Sequence, residues 1–459
     1  MRSSMKIVIP PSAGKGAKKM RKVDAYLASS PRPLRLLFLM LLILLPSLSL
    51  AQQSTSANTQ LNRYLQQAAQ NNTELKAQFN EYLAALQQVP QVTTLPDPEA
   101  AFGYFIQSTE TRVGPQQARL SLTQMFPWFG TLDARGDAAT QIARAKFAVF
   151  QEMRNHLFFK VKKTWYELYH IGQSIGITRE NINILETFES LVTSRYETAQ
   201  ASQVDILRVQ IEKEDLKVRA AELEDSKGAL LQRLAELVNR PEQVQADIPD
   251  TLAAQGLPLP MPELKQMTLQ QNPRLLKLDF KAASARSSIR VAQKEGLPKF
   301  ALGGDYIFTG KRDIALANNG KDAIMARVGI QIPLYRKKYR AREKQVQLQL
   351  KAVQNRQEAT QNQLLTTFEE TLRDFYDARR RVSLYKDIQI QRTRQALNIL
   401  IEEYTTSATD FEELLRLQRK LLEFQLAREE AIVDQNTAVA FMEYLYGKYN
   451  TDTEEIENK

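Results

Sequence analysis

Apolar residues follow three different spacings along this chain, and each spacing predicts a different kind of element. From Leu36 to Leu45 every residue is apolar, and Pro46 follows. Ten residues fall well short of the ~20 that a helical bilayer span requires. Basic residues precede the run and Ser49-Leu50-Ala51 close it, so residues 1–51 read as a secretory signal peptide cleaved between Ala51 and Gln52. The second spacing is a period of two. Phe300, Leu302, Gly304, Tyr306 and Phe308 alternate with Ala301, Gly303, Asp305, Ile307 and Thr309, and Val328, Ile330 and Ile332 alternate with Arg327, Gly329 and Gln331. That is the length and two-faced pattern of tilted membrane strands, with the polar stretch 310–321 as an exposed loop. Phe102, Tyr104 and Ile106, then Leu120, Leu122 and Phe126, repeat the pattern around a loop at 110–117. The aromatics Phe126, Trp128, Phe129 and Tyr335 stand where such strands would leave a membrane.

The third spacing is helical. Residues 334–446 contain neither Gly nor Pro and are rich in Gln, Glu, Leu, Arg and Lys, all strong helix formers. A helix from about Tyr339 to Glu403 would be roughly 95–100 Å long at 1.5 Å per residue. Small polar residues at 405–410 supply a turn, with Thr409 or Asp410 as N-cap. Beyond it Leu414, Leu417, Leu421 and Phe424 step by three, four and three, as a coiled-coil seam does. The first half repeats the plan, with a helix over 137–196, a turn at 198–202 and a return towards Arg240-Pro241.

The repetition is a duplication. Tyr196-Glu197-Thr198-Ala199 through Asp205-Ile206-Leu207-Arg208-Val209-Gln210 recurs as Tyr404-Thr405-Thr406-Ser407 through Glu413-Leu414-Leu415-Arg416-Leu417-Gln418. Asn71-Asn72 matches Gln271-Asn272, and Phe126-Pro127-Trp128 matches Ile332-Pro333-Leu334, in the same order. The domain reading is therefore a signal peptide (1–51), a first repeat (52–248), a Pro-rich linker (249–262), a second repeat (263–446) and a polar tail (447–459). Each repeat runs as short helix, strand pair, very long helix, turn and long helix. Four strands cannot close a barrel, and open edges are not viable in lipid, so a membrane form requires several chains to pool strands. A secreted or periplasmic coiled-coil scaffold, with a small soluble hairpin at its end, is the other reading.

Charge and composition narrow the chemistry. The chain of 459 residues carries a formal charge of +10. Nine of its basic residues but only one acid, Asp24, lie in 1–51; removing that leader leaves 53 basic and 51 acidic side chains. A near-neutral remainder gives no reason to expect nucleic acid. The absence of Cys excludes disulfides, cysteine–zinc sites, thiol catalysis and a lipid-modified N-terminal Cys. His156 and His170 fall 14 residues apart on one predicted helix, on a solvated face. With no nucleophile–base pair and no phosphate loop, the reading is a protein that is not an enzyme and holds no cofactor or metal.

The signal peptide, the duplicated plan, the Tyr…Asp/Glu-(Ile/Leu)-Leu-Arg-(Val/Leu)-Gln pattern at both turns and Met125-Phe126-Pro127-Trp128-Phe129-Gly130 together resemble the TolC-like outer-membrane efflux family, and within it the heavy-metal-efflux branch. The resemblance covers 60–446. It implies a mainly α fold with a membrane β-barrel portion: a homotrimer whose strands build one 12-stranded barrel in the cell outer membrane, continuing into an α-helical periplasmic tunnel. It implies a passive export channel of a tripartite efflux system, in contact with outer-membrane lipid and served by a periplasmic adaptor protein and an inner-membrane pump. The exported substrate, whether metal ion, drug or protein, stays open.

By motif position Asp205 and Glu413, with Arg208 and Arg416 as partners, are candidates for a periplasmic gate. Their alternative role is that of acids favoured at a helix start. The turns, represented by Thr198, Ala199 and Gln200 and by Thr406, Ser407 and Ala408, are candidate adaptor contacts, and Tyr196 and Tyr404 are expected to pack those turns. Asp305 and Arg327 either line a barrel lumen or pair across strands. The sequence departs from the family at Ala199 and Ser407, where Gly is usual, and at Arg416, where several relatives have an acid. Gln52 stands where lipid-anchored relatives carry Cys, so the chain is expected to be unlipidated.

Overall fold

A computed structural model describes residues 52–240, 248–313, 315, 317–406 and 410–450. The leader up to the cleavage residue Ala51, the turn residues Ser407, Ala408 and Thr409, and the tail beyond 450 lie outside the described residues. Gln52 opens α1 (Gln52–Asn71), followed by α2 (Thr73–Leu86), α3 (Gln88–Thr93), β1 (Glu99–Thr111), β2 (Gly114–Phe126), α4 (Thr131–Glu197) and α5 (Gln203–Leu237). The second half contains α6 (Met261–Gln271), α7 (Pro273–Glu295), β3 (Lys299–Thr309), β4 (Ala323–Gln331), α8 (Arg336–Ser383), a π-helical turn (Leu384–Gln389), α9 (Ile390–Thr405) and α10 (Phe411–Leu445). The duplicated order holds, but the single short helix expected before each strand pair is broken into three in the first half and two in the second. The break recurs at matched positions: Asn72 Oδ1 accepts from the Leu75 amide at 3.0 Å, and Asn272 Oδ1 accepts from the Arg274 amide at 2.9 Å. An Asn that caps a new helix ends the old one.

The chain divides into two compact units. One comprises Ala77–Met153 and Met267–Leu365 with Asn450; the other comprises Arg154–Gln266, Thr366–Tyr449 and the described residues up to Lys76. The first unit holds an antiparallel sheet in the order β1-β2-β3-β4. Its register puts Phe102, Leu120, Tyr306 and Ile324 in one cross-strand row and Ala101, Ser121, Asp305 and Met325 in the next. Successive residues point to opposite faces, so the sheet sorts apolar from polar side chains. The eight-residue loop expected at 110–117 shrinks to Arg112-Val113, because both strands run to 13 residues and end in a tight turn. Gly114 makes that turn possible: its φ is +137°, and a Cβ there would lie 1.8 Å from the Gly310 carbonyl oxygen.

The second unit is packed helix on helix. Leu185, Phe188 and Val192 of α4, Val209 of α5, Ile390, Leu397 and Tyr404 of α9, and Phe411, Leu414 and Leu421 of α10 share one core. Leu414 and Leu421 of the expected seam are buried, and Leu417 and Phe424 pack beside them. The predicted uninterrupted helix over 339–403 is corrected by the π turn, where the Ile390 amide donates to the Tyr385 carbonyl. Residues 384–389 stay helical, but the wider turn absorbs one extra residue and shifts the side-chain stripe beyond it by about 100° relative to a continuous α-helix.

This unit also buries ionic groups. Lys162 pairs with Glu443, which also pairs with Lys448, and Tyr169 donates to Glu429 at 2.8 Å. Burial pushes the Tyr166 phenol up to about 12. Gly447, at φ +73°, turns the chain so that Lys448 can return to Glu443. No described helix is long and apolar enough to cross a membrane.

Candidate functional site

Two places gather the residues singled out by sequence: the helix turns of the second unit and the sheet of the first. At the first turn α4 ends in a Schellman motif, in which the Gln200 amide donates to Arg195 O at 2.8 Å and the Ala199 amide to Tyr196 O at 2.9 Å. Ala199 sits at φ +58°, in the left-handed conformation that Gly adopts without cost. Ser202 then caps α5. Its hydroxyl accepts from the Val204 amide at 3.1 Å, while Asp205 Oδ2 accepts from the Ser202 amide at 3.2 Å, a reciprocal capping box.

The second turn is built differently. The Thr405 and Thr406 hydroxyls donate to the carbonyls of Glu402 and Glu403 at 2.6 and 2.9 Å. Of the two N-cap candidates it is Asp410 that caps α10, accepting from the Glu412 amide at 3.2 Å. Ser407 and Ala408 are outside the described residues.

The gate candidates cluster at these helix starts. Arg208 reaches Asp205 at 3.4 Å within its own helix and Glu412 of the other repeat at 3.1 Å. Arg416 donates from Nε to Glu413 at 2.9 Å, and that hydrogen bond holds the Glu413 carboxyl below its usual range. Glu412 was not singled out by sequence, because the motif alignment puts its neighbour Glu413 opposite Asp205. Structurally it is Glu412 that ties the two turns together.

The paired tyrosines part company. Tyr404 is 4% exposed and packs against Phe411, with ring centroids 5.3 Å apart, under the Arg195 guanidinium at 4.5 Å. Burial pushes its phenol up, with Arg195 opposing and Asp205 and Asp410 adding to the rise. Tyr196, expected to pack its turn in the same way, is 45% exposed. Arg195 was also missed by sequence. It occupies the position where the second repeat has Glu403, and only the fold brings it across to Tyr404. A hollow of about 420 Å³ lies between the turns, lined by Ala199, Gln200, Asp205, Tyr404, Asp410 and Phe411 among others.

In the sheet, the apolar row faces outward without cover. Phe102 is 68%, Val328 75% and Ile324 81% exposed. On the opposite face Asp305 is enclosed by strand neighbours. It accepts from Ser121 Oγ at 2.5 Å and Arg119 Nε at 3.1 Å, with Arg119 Nη2 at 2.7 Å and Arg327 at 3.9 Å. Arg327 donates to Thr123 at 2.9 Å. Asp305 and Arg327 thus share the polar face and pair across strands, and Arg119 is the stronger partner. Its signal was the Arg119-Ser121-Thr123 alternation in β2. His156 lies beside the Tyr444 ring at 5.7 Å. Among the described residues, no group of three or more His, Cys, Asp or Glu side chains could hold a metal ion.

No protein-family model matches the sequence, and no curated protein matches it. Solved structures do. The outer-membrane channel OprN shares 20% identity over 85% of this chain and 90% of its own, with a TM-score of 0.69. The outer membrane protein VceC from Vibrio cholerae shares 16% identity over 85% of this chain and 96% of its own, at 0.70. CusC, a protein that forms a transmembrane channel, shares 14% over 84% and 92%, at 0.71. The chain therefore has the fold of the TolC-like outer-membrane channels, at 14–20% sequence identity to those three.

Proposed function

We propose that this protein is a passive outer-membrane duct of a tripartite efflux system, receiving cargo from an inner-membrane pump through a periplasmic adaptor. The observation that carries the reading is the sheet. One face is apolar and exposed, the other holds the Arg119–Asp305–Arg327 cluster, and strands β1 and β4 are its outer edges. A sheet with oil on one side and charge on the other suits a wall between lipid and water. Its outer edges need partners in lipid, which three copies supply by closing twelve strands into one barrel. Exposed Val204, Leu207, Ile211 and Val218 step along α5 by three, four and seven, a heptad stripe suited to a neighbouring subunit. OprN and CusC, named as channels, have this fold.

In this reading the turns form the periplasmic end. Asp205, Arg208, Glu413 and Arg416 restrict the mouth through their ion pairs, and Thr198, Ala199, Gln200, Thr406, Ser407 and Ala408 meet the adaptor. Membrane fractionation tests the duct: the protein is expected in the outer membrane and to need detergent for release, and recovery in the soluble periplasm refutes it. Neutralising Asp205 and Glu413 together is expected to raise conductance in planar bilayers. Unchanged conductance removes them from the gate.

A further inference from the structure

The start of α8 carries positive charge where a helix tolerates it least. Arg336, Lys337, Lys338, Arg340, Arg342 and Lys344 fall within nine residues, with Glu343 the only acid among them. The unpaired amides of a first turn already make that end positive, so cations there oppose the helix dipole. The duplication supplies an internal control. α4, which follows the strand pair of the first repeat, has the usual sign, with Asp133 in its first turn, whereas the first turn of α8 contains no acid. The reversal belongs to the second repeat alone, and helix stability does not account for it.

Nor do contacts within the chain absorb this charge. All six basic residues are exposed. Arg336 donates to the Gly296 carbonyl at 2.8 Å, Arg342 to Gln345 at 3.0 Å, and Lys338 lies 5.8 Å from the Tyr339 ring centroid, but none of the six pairs with a carboxylate among the described residues.

Position supplies the meaning. The apolar face of β4 continues through Ile332 into Leu334 and Tyr335, which are 75% and 83% exposed, and the basic run begins at the next residue. Phe300 pairs in register with Ile330, and the Trp128 ring stacks on Phe300 at 5.8 Å. Exposed Phe129 packs at this same end of the sheet, 6.2 Å from Phe300. Apolar face, aromatic edge and cation cluster therefore follow one another within a few residues. This is the order of hydrocarbon, interface and headgroup in a bilayer leaflet.

We propose that residues 334–344 form an interfacial collar that binds anionic phospholipid headgroups where the sheet gives way to helix. The collar rests on the membrane reading of the sheet. Leu334 and Tyr335 enter the interface, and the cations above them neutralise headgroup phosphates. Bound headgroups would also supply the negative charge that the first turn of α8 lacks.

The test uses the intact chain purified in nonionic detergent and titrated with phosphatidylglycerol or phosphatidylcholine, with retained lipid read by mass spectrometry of the intact assembly. The wild-type protein is expected to retain phosphatidylglycerol preferentially. The triple variant K337Q/K338Q/R340Q is expected to lose about a hundredfold of that affinity, roughly fivefold per charge, with phosphatidylcholine unchanged. In the wild type alone, 1 M salt is expected to abolish the preference, a readout independent of how the variant folds. The control K217Q/R219Q on α5 is expected to bind as wild type.

Equal retention of the two lipids by the wild type overturns the collar, as does an undiminished preference in the triple variant or an equal loss in the control. Displacement of the lipid by equimolar inorganic phosphate would mean a free-anion site and overturns it too. A protein that sediments with membranes yet shows no anionic preference refutes the collar and leaves the duct standing. Recovery in the soluble fraction refutes the membrane reading itself.

Discussion

The Schellman turn at Ala199 offers a quantitative test of how the hairpin is built, because the chain uses the same motif three times with three different residues. Gly447 at φ +73°, Asn239 at +51° and Ala199 at +58° each follow a helix end by two residues. All three make the same hydrogen-bond pair, for example Lys448 amide to Glu443 O at 3.0 Å and Arg240 amide to Ala235 O at 2.9 Å. The left-handed conformation costs a non-glycine residue about 1–2 kcal/mol. Asn tolerates it through its short polar side chain, and Ala has no such relief. Replacing Ala199 by Gly removes the strain but adds about 0.5–1 kcal/mol of unfolded-chain entropy. The net expectation for A199G is roughly 1 kcal/mol of local stabilisation, or about a fivefold rise in amide protection.

Native-state hydrogen exchange on the purified protein measures this directly. The Gln200 amide, bonded to Arg195 O, is expected to slow about fivefold in A199G, while amides of the sheet keep their rates. G447A is the mirror experiment and is expected to speed the Lys448 amide by a similar factor. Unchanged or faster exchange at Gln200 in A199G would refute the strain argument. So would indifference of Lys448 to G447A.

Three further outcomes follow from the packing. E443Q is expected to cost about 3–5 kcal/mol, seen as a large drop in thermal midpoint, because it leaves the buried Lys162 ammonium without its counter-charge; a small shift would mean that water reaches the site. G114A is expected to disrupt the β1–β2 turn, since its Cβ would occupy the space of the Gly310 carbonyl oxygen, and to lower the yield of folded protein sharply; wild-type yield and melting would contradict the turn geometry. The third concerns pH. Because Arg416 holds the Glu413 carboxyl below its ordinary 4.5, the pair stabilises the folded state above that pH and is lost as pH falls through the lowered value. A conductance step on acidification below 4.5, absent in E413Q, is expected, and a step that persists in E413Q assigns it to another group.

Much of the architecture was legible because its signals are periodic. Alternation at 300–309 and 327–332 marks strands, and the seam at Leu414, Leu417, Leu421 and Phe424 marks packed helices, since each spacing follows from backbone geometry alone. The misses fall where one residue's surroundings override the local pattern. The π turn at 384–389 changes only the width of one turn inside a run of helix formers, which propensity and spacing do not register. The first hairpin turn is short because Gly114 lies against Gly310, nearly 200 residues away. Asn72 splits a helix that propensity alone would have joined, whereas after Asn272 it is Pro273, at the first helical position, that marks the break.

The site was legible in kind but not in partnership. Asp205, Arg208, Glu413 and Arg416 could be named from the repeated motif, because a duplication displays the same residue types twice. That Arg208 reaches across to Glu412, that Arg195 covers Tyr404 while Tyr196 is exposed, and that Arg119 neutralises Asp305 could not. These pairs are 204, 209 and 186 positions apart, and a contact across such a separation is set by packing.

What the sequence by itself determined is therefore the order and type of the elements, the twofold repetition and the two-faced character of the strands, because hydrophobic period and helix-breaking residues act locally. Only the tertiary structure decided which charges meet, which tyrosine is buried and which cations are left facing outward at the start of α8. Burial and ion pairing depend on what the rest of the fold brings within a few ångströms, and the sequence encodes that only through the whole of the packing.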